Sequence, residues 1–230
     1  VGGLVDLSRP EAAQWVEDEI AKMIEQTGID MFRLDFNHVY NAPYSYNLRD
    51  GYLENADYRY NENFTAIFRR LRFPDVIFEN CASGGGRTDL GAVKYFSHTW
   101  VTDNPVSPRS FDITNGMTMC LPPELIDRLI TTMGAHSMAE LDFQLRQMMF
   151  VRPTAHHGHG IGTPMDAAEN PQQQARIWHF MDLYKNFVTP FIEHAKIYHH
   201  TPALDGEDSR GLGMLELVAE DSSRAMLGVF

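Results

Sequence analysis

The stretch IDMFRLDFN, residues 29–37, is an apolar run of strand character that carries an aspartate and an asparagine at its end. Ile29, Met31 and Phe32 are typical of a buried strand, whereas Asp35 and Asn37 are polar. An isolated aspartate in this place commonly makes a turn or caps the next helix. The rest of the chain therefore decides whether Asp35 has a chemical function.

Apolar strand patterns alternate with helical patterns on both sides of this stretch. After a first helix that ends at Gly28, the periodicity predicts strand 29–36, a polar, Tyr-rich loop 41–60, helix 61–72, strand 75–79, helix 90–96, strand 98–102, helix 110–119 and helix 123–133. Nearly continuous apolar strands separated by helices indicate a parallel sheet with crossover helices, either an open sheet or a barrel.

Polar residues follow three of these strands, in the segments 35–37, 79–81 and 103–104. In a (β/α)8 barrel the C-terminal ends of all the strands face one active site. Polar strand ends therefore favour the barrel over the open sheet.

The C-terminal part of the chain changes character. A strongly amphipathic helix is predicted over 172–189, and beyond Pro202 the sequence turns to Gly- and Asp-rich turns with short β runs at 213–218 and 225–230. We place a domain boundary near residue 201. Because the chain begins at Val1 rather than Met and its last β run stops at Phe230, we expect it to belong to a longer protein, and the compartment stays open.

The composition excludes several classes of partner. Formal net charge is −12 with no block of Lys or Arg, so nucleic acids and anionic membranes are unsuitable partners and a neutral or polar small molecule fits better. No apolar run reaches the ~18 residues that span a bilayer. The two cysteines, Cys81 and Cys120, predict no disulfide framework.

Two acids, Asp35 and Asp103, end apolar strands in similar contexts, Leu-Asp-Phe-Asn and Thr-Asp-Asn. Retaining glycoside hydrolysis uses such a pair: one carboxylate attacks the anomeric carbon and the other protonates the leaving oxygen, at a separation of roughly 5–5.5 Å. Since many long chains contain two such acids, the assignment depends on further motifs.

A glycine-rich segment, Cys81-Ala-Ser-Gly-Gly-Gly-Arg-Thr-Asp89, lies between these acids. Glycine-rich turns between a strand and a helix can bind phosphate through backbone N–H groups, but this one lacks the Lys-Ser/Thr of a P-loop and the spacing of a dinucleotide fingerprint. A simple tight turn and a close approach of a sugar to the backbone both stay open.

Four segments, taken in order over residues 29–136, resemble the core of glycoside hydrolase family 36, the retaining α-galactosidases and their relatives. They are the strand of Asp35, the run Glu79-Asn-Cys-Ala-Ser-Gly-Gly-Gly-Arg-Thr-Asp-Leu-Gly91, the run Trp100-Val-Thr-Asp-Asn104, and Met133-Gly-Ala-His136. The resemblance implies the C-terminal half of a (β/α)8 TIM barrel in residues 1–200, followed by the start of a C-terminal β domain in 201–230.

The same resemblance assigns roles to individual residues. Asp35 is implied as the nucleophile and Asp103 as the general acid/base. Arg87 and Asp89 are expected to brace the turn. The implied substrate-binding residues are Arg33, Asn37, Cys81, Ser83, Gly84, Trp100 and Asn104.

Several positions depart from the family pattern. The family has lysine where this chain has Arg33, tryptophan at Leu34, methionine at Phe36 and arginine at His38, and a helix-forming insertion is expected over 124–131. Arginine is a planar fork whereas lysine is a point donor, so the hydroxyl pattern recognised in the sugar can differ from that of galactose.

Other polar clusters give weaker signals. His156, His157 and His159 are closely spaced and have no cysteine partner, which disfavours zinc, so no metal is expected. Glu140 and Asp142 are expected as solvated acids. Tyr40, Tyr44 and Tyr46 are candidates either for stacking on a sugar face or for packing.

The resemblance thus implies a retaining glycosidase that cleaves terminal α-galactosides in an oligosaccharide or glycoconjugate, and no cofactor is expected because two carboxylates suffice. The alternatives are an α-N-acetylgalactosaminidase with the same machinery and a non-catalytic carbohydrate-binding fragment. A homo-oligomer of the full-length protein is also left open.

Overall fold

The structure is a computed structural model and describes residues 4–35, 46–49, 51–71, 73–104, 109–131, 141–156, 171–201 and 212–230. The helices are α1 Pro10–Thr27, α2 Ala56–Arg70, α3 Leu90–Val93, α4 Arg109–Thr118, α5 Leu141–Met148, α6 Pro171–Leu183 and α7 Thr189–Ile192. The strands are β1 Met31–Asp35, β2 Tyr46–Arg49, β3 Tyr52–Asn55, β4 Ile77–Cys81, β5 His98–Trp100, β6 Ile126–Thr131, β7 Arg152–His156, β8 Lys196–His199, β9 Met214–Val218 and β10 Ala225–Val229.

The chain forms two compact units. The first comprises Val1–Ala82 and Arg87–Ser97, and the second comprises Ser83–Gly86 and His98–Phe230. In the first unit β1 pairs in parallel with β4, and helices α1 and α2 supply most of the core. The predicted first helix is confirmed as α1: it buries Ala13, Ile20 and Ile24 and ends at Gly28, which has the left-handed conformation. The buried core residues are Leu7, Ala13, Ile20, Ile24, Tyr60, Phe64, Ile67, Phe68, Phe78 and Phe96.

The second unit contains two sheets. Strands β5, β6 and β7 pair in parallel in that order, whereas β8, β9 and β10 form an antiparallel sheet with β9 in the middle. The predicted β runs 213–218 and 225–230 are confirmed as β9 and β10. Because β8 precedes residue 201 and pairs with β9, the antiparallel sheet extends across that position, and the domain boundary near 201 stays a prediction.

Parallel strands separated by helices confirm the α/β class predicted from the sequence. The long helix predicted over 172–189 is interrupted, because a π-helical segment, Tyr184–Val188, separates α6 from α7. Pro190 has no N–H to donate within the helix, and a local change of hydrogen-bond spacing accommodates it.

The helix predicted over 123–133, and with it the helix-forming insertion over 124–131, is wrong. A 3-10 turn, Pro123–Leu125, leads directly into strand β6, which pairs with both β5 and β7. The β-branched residues of the run Leu-Ile-Thr-Thr, 129–132, favour a strand, and two neighbouring parallel strands supply the hydrogen bonds that a helix would otherwise make internally.

The loop predicted over 41–60 is also wrong in its second half. Strands β2 and β3 form a hairpin, and α2 begins at Ala56 rather than near residue 61. The Asp50-Gly51 pair is a hairpin signal in the sequence, and Gly51 has a φ of 84°. The side chain of Asn55 caps α2 by accepting hydrogen bonds from the backbone N–H groups of Asp57 and Tyr58.

Two expected absences concern the described residues. Cys81 is buried, Cys120 is exposed, and no disulfide joins them. None of the helices in the described ranges between residues 4 and 230 is long and apolar enough to cross a membrane.

Replacing Ile67 by alanine is expected to lower the free energy of unfolding by about 2–5 kcal/mol, because the side chain is fully buried and its removal leaves a cavity. Leu48→Ala, at a position that is 73% exposed, is the control and should change stability by less than about 0.5 kcal/mol. Denaturant unfolding measures both values. Equal effects of the two substitutions would contradict the packing of this core.

Candidate functional site

The pairing of β1 with β4 places four polar residues of the first unit on one face. Arg33 is the register partner of Glu79, and Asp35 is the register partner of Cys81. Alternate residues of a strand share a face, so Arg33 and Asp35 lie on the same side as Glu79 and Cys81. Leu34 points to the opposite side, where it lines an apolar cavity of about 230 Å³ with residues of α1 and α2.

The guanidinium of Arg33 connects the other three residues. Its Nη1 donates to a carboxylate oxygen of Glu79, while its Nη2 lies 3.1 Å from the Sγ of Cys81 and 3.5 Å from an Oδ of Asp35. Glu79 is fully buried, whereas the side chain of Asp35 is 44% exposed. Asp35 is therefore accessible to solvent, and the guanidinium beside it is hydrogen-bonded to the buried carboxylate of Glu79.

Burial alone would lower the pKa of Arg33, but the charges of Glu79, Cys81 and Asp35 and the hydrogen bond to Glu79 outweigh it, so the pKa is raised above its ordinary value. The guanidinium is consequently a charged neighbour of Asp35.

Arg87 and Asp89 brace the turn, as predicted. The carbonyl oxygen of Arg87 accepts from the Asn80 side chain at 3.0 Å, and its guanidinium donates back to Asn80 at 3.4 Å and lies 4.7 Å from the ring centre of Phe64. Burial lowers the pKa of Arg87, although nearby groups including Tyr60, Cys81 and Asp35 oppose that shift. Asp89 caps α3 by accepting from the backbone N–H groups of Gly91 and Ala92.

The centre of the glycine-rich turn belongs to the second unit. Ser83 has a φ of 46° and Gly84 a φ of 77°, so two successive residues adopt the left-handed conformation. A Cβ on Gly84 would lie 2.8 Å from the Cα of Thr102 and 3.0 Å from the backbone nitrogen of Asp103. Among the described residues, the backbone of Thr102 and Asp103 is therefore what packs closely against Gly84.

Asp103 follows β5 and is exposed, and a buried tryptophan orients its side chain. The indole Nε1 of Trp100 donates to Oδ1 of Asp103 at 2.8 Å. The backbone N–H of Asn104 donates to the hydroxyl of Thr102 at 2.9 Å, which fixes the turn that presents both residues. One carboxylate oxygen of Asp103 is thus held while its backbone is confined by Gly84.

The structure brings the predicted site residues together in two groups, one in each unit. Arg33, Asp35 and Cys81 share one face of the first unit, and Gly84, Trp100 and Asp103 are in contact in the second, with Ser83 and Asn104 beside them in sequence. Other candidates lie outside the described residues: Asn37, Tyr40, Tyr44, Met133–His136, Glu140, His157 and His159. Asp142 lies on an exposed face, where its two carboxylate oxygens accept hydrogen bonds from Arg176 at 2.7 Å and 2.9 Å.

Glu79 is the residue that the sequence analysis left without a role. It is a polar strand end and the first residue of the family run 79–91, and in the structure it is the buried partner of Arg33. Its spacing of two from Cys81 already places both on one face of a strand. What the spacing could not reveal is that Arg33 would be its cross-strand neighbour.

Gly84→Ala is expected to destabilise the protein more than Gly28→Ala does. Both positions have positive φ, which costs about 1–2 kcal/mol for alanine, but only at Gly84 would the added methyl meet other backbone atoms. At Gly28 nothing lies within 4 Å of the added Cβ. Denaturant unfolding of the two variants measures the difference, and equal losses would show that the contact with Thr102 and Asp103 is absent in solution.

Comparison with known proteins identifies the family. The family model described as Melibiase matches residues 3–192. Among curated relatives, the probable α-galactosidase C of Aspergillus flavus is 31% identical over 171 residues, which are 72% of this chain and 21% of that protein. The α-galactosidase C of Emericella nidulans is 29% identical over 234 residues, which are 99% of this chain and 28% of that protein.

Solved structures show the same fold. The α-galactosidase of Lactobacillus brevis has a TM-score of 0.81 at 21% identity, over 97% of this chain and 30% of its own. The family 36 α-galactosidase AgaA of Geobacillus stearothermophilus, in complex with 1-deoxygalactonojirimycin, has a TM-score of 0.77 at 19% identity, with the same two coverages. The chain thus spans less than a third of the length of these relatives. Since the family match covers most of the chain, the predicted resemblance to glycoside hydrolase family 36 is confirmed, and the chain belongs to the melibiase family.

Proposed function

We propose that this chain forms part of the catalytic domain of a retaining α-galactosidase that removes terminal α-galactosyl groups from oligosaccharides. The observation that carries the proposal is the family match over residues 3–192, which includes both candidate acids. The local geometry supports it: Asp35 ends β1 beside a charged guanidinium, and Asp103 follows β5 with one oxygen held by Trp100.

The proposed architecture is a (β/α)8 barrel whose C-terminal portion is residues 1–200, followed by the beginning of a β domain in 201–230. Candidate residues at or just beyond the C-terminal ends of β1, β4 and β5 support the barrel, because barrel enzymes build their active sites at that end. The antiparallel sheet of β8, β9 and β10 supports a change of architecture near the C-terminus.

In the proposed reaction the carboxylate of Asp35 attacks the anomeric carbon, and a covalent β-galactosyl enzyme forms as the bond to the leaving oxygen breaks. Asp103 donates its proton to that oxygen, and in the second step it takes a proton from the water that releases galactose with its α configuration. Because the Trp100 N–H occupies Oδ1 of Asp103, we assign the transferred proton to Oδ2.

We further propose that Arg33, Asn37, Cys81, Ser83, Gly84, Trp100 and Asn104 form or support the sugar subsite. Raffinose and stachyose are proposed as the type of substrate, since structures of the relative AgaA are described in complex with each. In this subsite Arg33 stands in the position that the family pattern gives to lysine. It would have the same positive charge as lysine, but it would donate hydrogen bonds to the ring hydroxyls from a planar, forked group.

The presence of Arg33 at that position favours one second candidate, an α-N-acetylgalactosaminidase with the same two acids. We expect the full-length protein to hydrolyse 4-nitrophenyl α-galactoside faster than the N-acetylgalactosamine, glucose and arabinose analogues, with an α anomer as the first product by NMR. Preference for the N-acetylgalactosaminide would select the second candidate. A β anomer would rule out double displacement, and no turnover of any substrate would favour the non-catalytic alternative.

Replacing Asp35 by glycine is expected to lower kcat for 2,4-dinitrophenyl α-galactoside by about 10⁴-fold or more, because the covalent intermediate can no longer form. Azide should then restore turnover and yield β-galactosyl azide, since the anion attacks from the side that the carboxylate occupied. Asp30→Gly, at the exposed start of the same strand region, is the control and should keep normal activity without azide. An α-galactosyl azide would instead identify Asp35 as the acid/base residue.

A further inference from the structure

The three charged residues on the shared face of β1 and β4 differ in how exposed their side chains are to solvent. Glu79 is fully buried, the side chain of Arg33 is 26% exposed and that of Asp35 is 44% exposed. The ion pairs Glu79–Arg33 and Arg33–Asp35 therefore run from the interior to the surface, and Arg33 stands between two carboxylates.

Glu79 is costly to bury as a charge unless a partner of opposite charge is hydrogen-bonded to it. Arg33 supplies such a partner through Nη1. A charge-assisted hydrogen bond of this kind is stronger and more directional than a neutral one, so it restricts the torsion angles of the long Arg33 side chain.

The second half of the same guanidinium faces the proposed nucleophile. Because the group is planar, an Nη1 fixed on Glu79 also fixes Nη2, which lies 3.5 Å from Asp35 and 3.1 Å from Cys81. An ammonium group is a single point and has no second nitrogen that an anchor could orient. The charges around Arg33 also raise its pKa, so the guanidinium is a permanent cation.

We propose that Glu79 is a positioning residue for the reaction at Asp35: it anchors Nη1 of Arg33 and thereby holds Nη2 beside the nucleophile. In this proposal Glu79 contacts neither the substrate nor the reacting atoms, and its effect on the reaction is transmitted through Arg33. This inference rests on the proposed function, and it gives a role to Glu79, a residue of the family run 79–91 to which the resemblance assigns none.

The test is a double-mutant cycle in the full-length protein with 4-nitrophenyl α-galactoside. Glu79→Gln keeps the shape of the side chain but removes the charge, and it should lower kcat/KM by about 10²-fold as Arg33 loses its fixed position. Arg33→Met should lower kcat/KM at least as much. Adding Glu79→Gln to Arg33→Met should cost less than about threefold more, because the residue through which Glu79 acts is already gone.

Two further variants separate positioning from folding. Glu79→Asp retains the negative charge and should recover part of the activity lost in Glu79→Gln. Glu193→Gln makes the same chemical change in the exposed pair between Glu193 and Arg152, and it should leave kcat/KM unchanged. If Arg33→Met unfolds because it leaves Glu79 buried without this cation, the double variant, which removes both charges, should show the higher melting temperature.

Each outcome decides the inference. Unchanged kcat/KM in Glu79→Gln, or losses that multiply in the double variant, would overturn it, since Glu79 would then act independently of Arg33. Binding of 1-deoxygalactonojirimycin, measured by calorimetry, distinguishes this from failure of the proposed function. A wild-type protein that neither hydrolyses the aryl galactoside nor binds this iminosugar would overturn both, whereas an active wild-type protein with an active Glu79→Gln variant overturns the inference alone.

Discussion

The parallel register between β1 and β4 is the constraint on which the candidate site residues of the first unit depend. It pairs Arg33 with Glu79 and Asp35 with Cys81, so a single face collects two carboxylates, a thiol and the cation that connects them. A shift of one residue in β1 would turn Arg33 and Asp35 toward the apolar side that Leu34 now occupies. Packing of Leu34 against the helices and the ion pair of Arg33 therefore support the same register.

A second constraint acts at the glycine-rich turn. Gly84 leaves no room for a side chain because backbone atoms of Thr102 and Asp103 occupy that space. The Trp100 indole approaches Asp103 from the same strand end and donates to its carboxylate. The position of this acid is thus set by one steric contact and one hydrogen bond, both from residues that the motifs already contained.

The sequence predicted the class of the fold and the elements with strong periodicity. The helix α1 and the strands β9 and β10 were predicted because each of these elements shows its own period in the sequence. The strand β6 was predicted as a helix since its six residues are too few to distinguish the two periods. Its β-branched residues carried the correct signal, but hydrogen bonds to β5 and β7 decided the outcome.

The sequence by itself determined which residues are the candidates for chemistry: Asp35 and Asp103 at strand ends, the glycine run between them, and a family pattern with arginine at position 33. It could not determine which groups these residues contact. The bonds from Arg33 to Glu79 and from Trp100 to Asp103, and the approach of the Asp103 backbone to Gly84, were decided by the tertiary structure. The reason is physical: strand spacing fixes the face on which a side chain lies, whereas its partner depends on the neighbouring strand and on the register of the pairing.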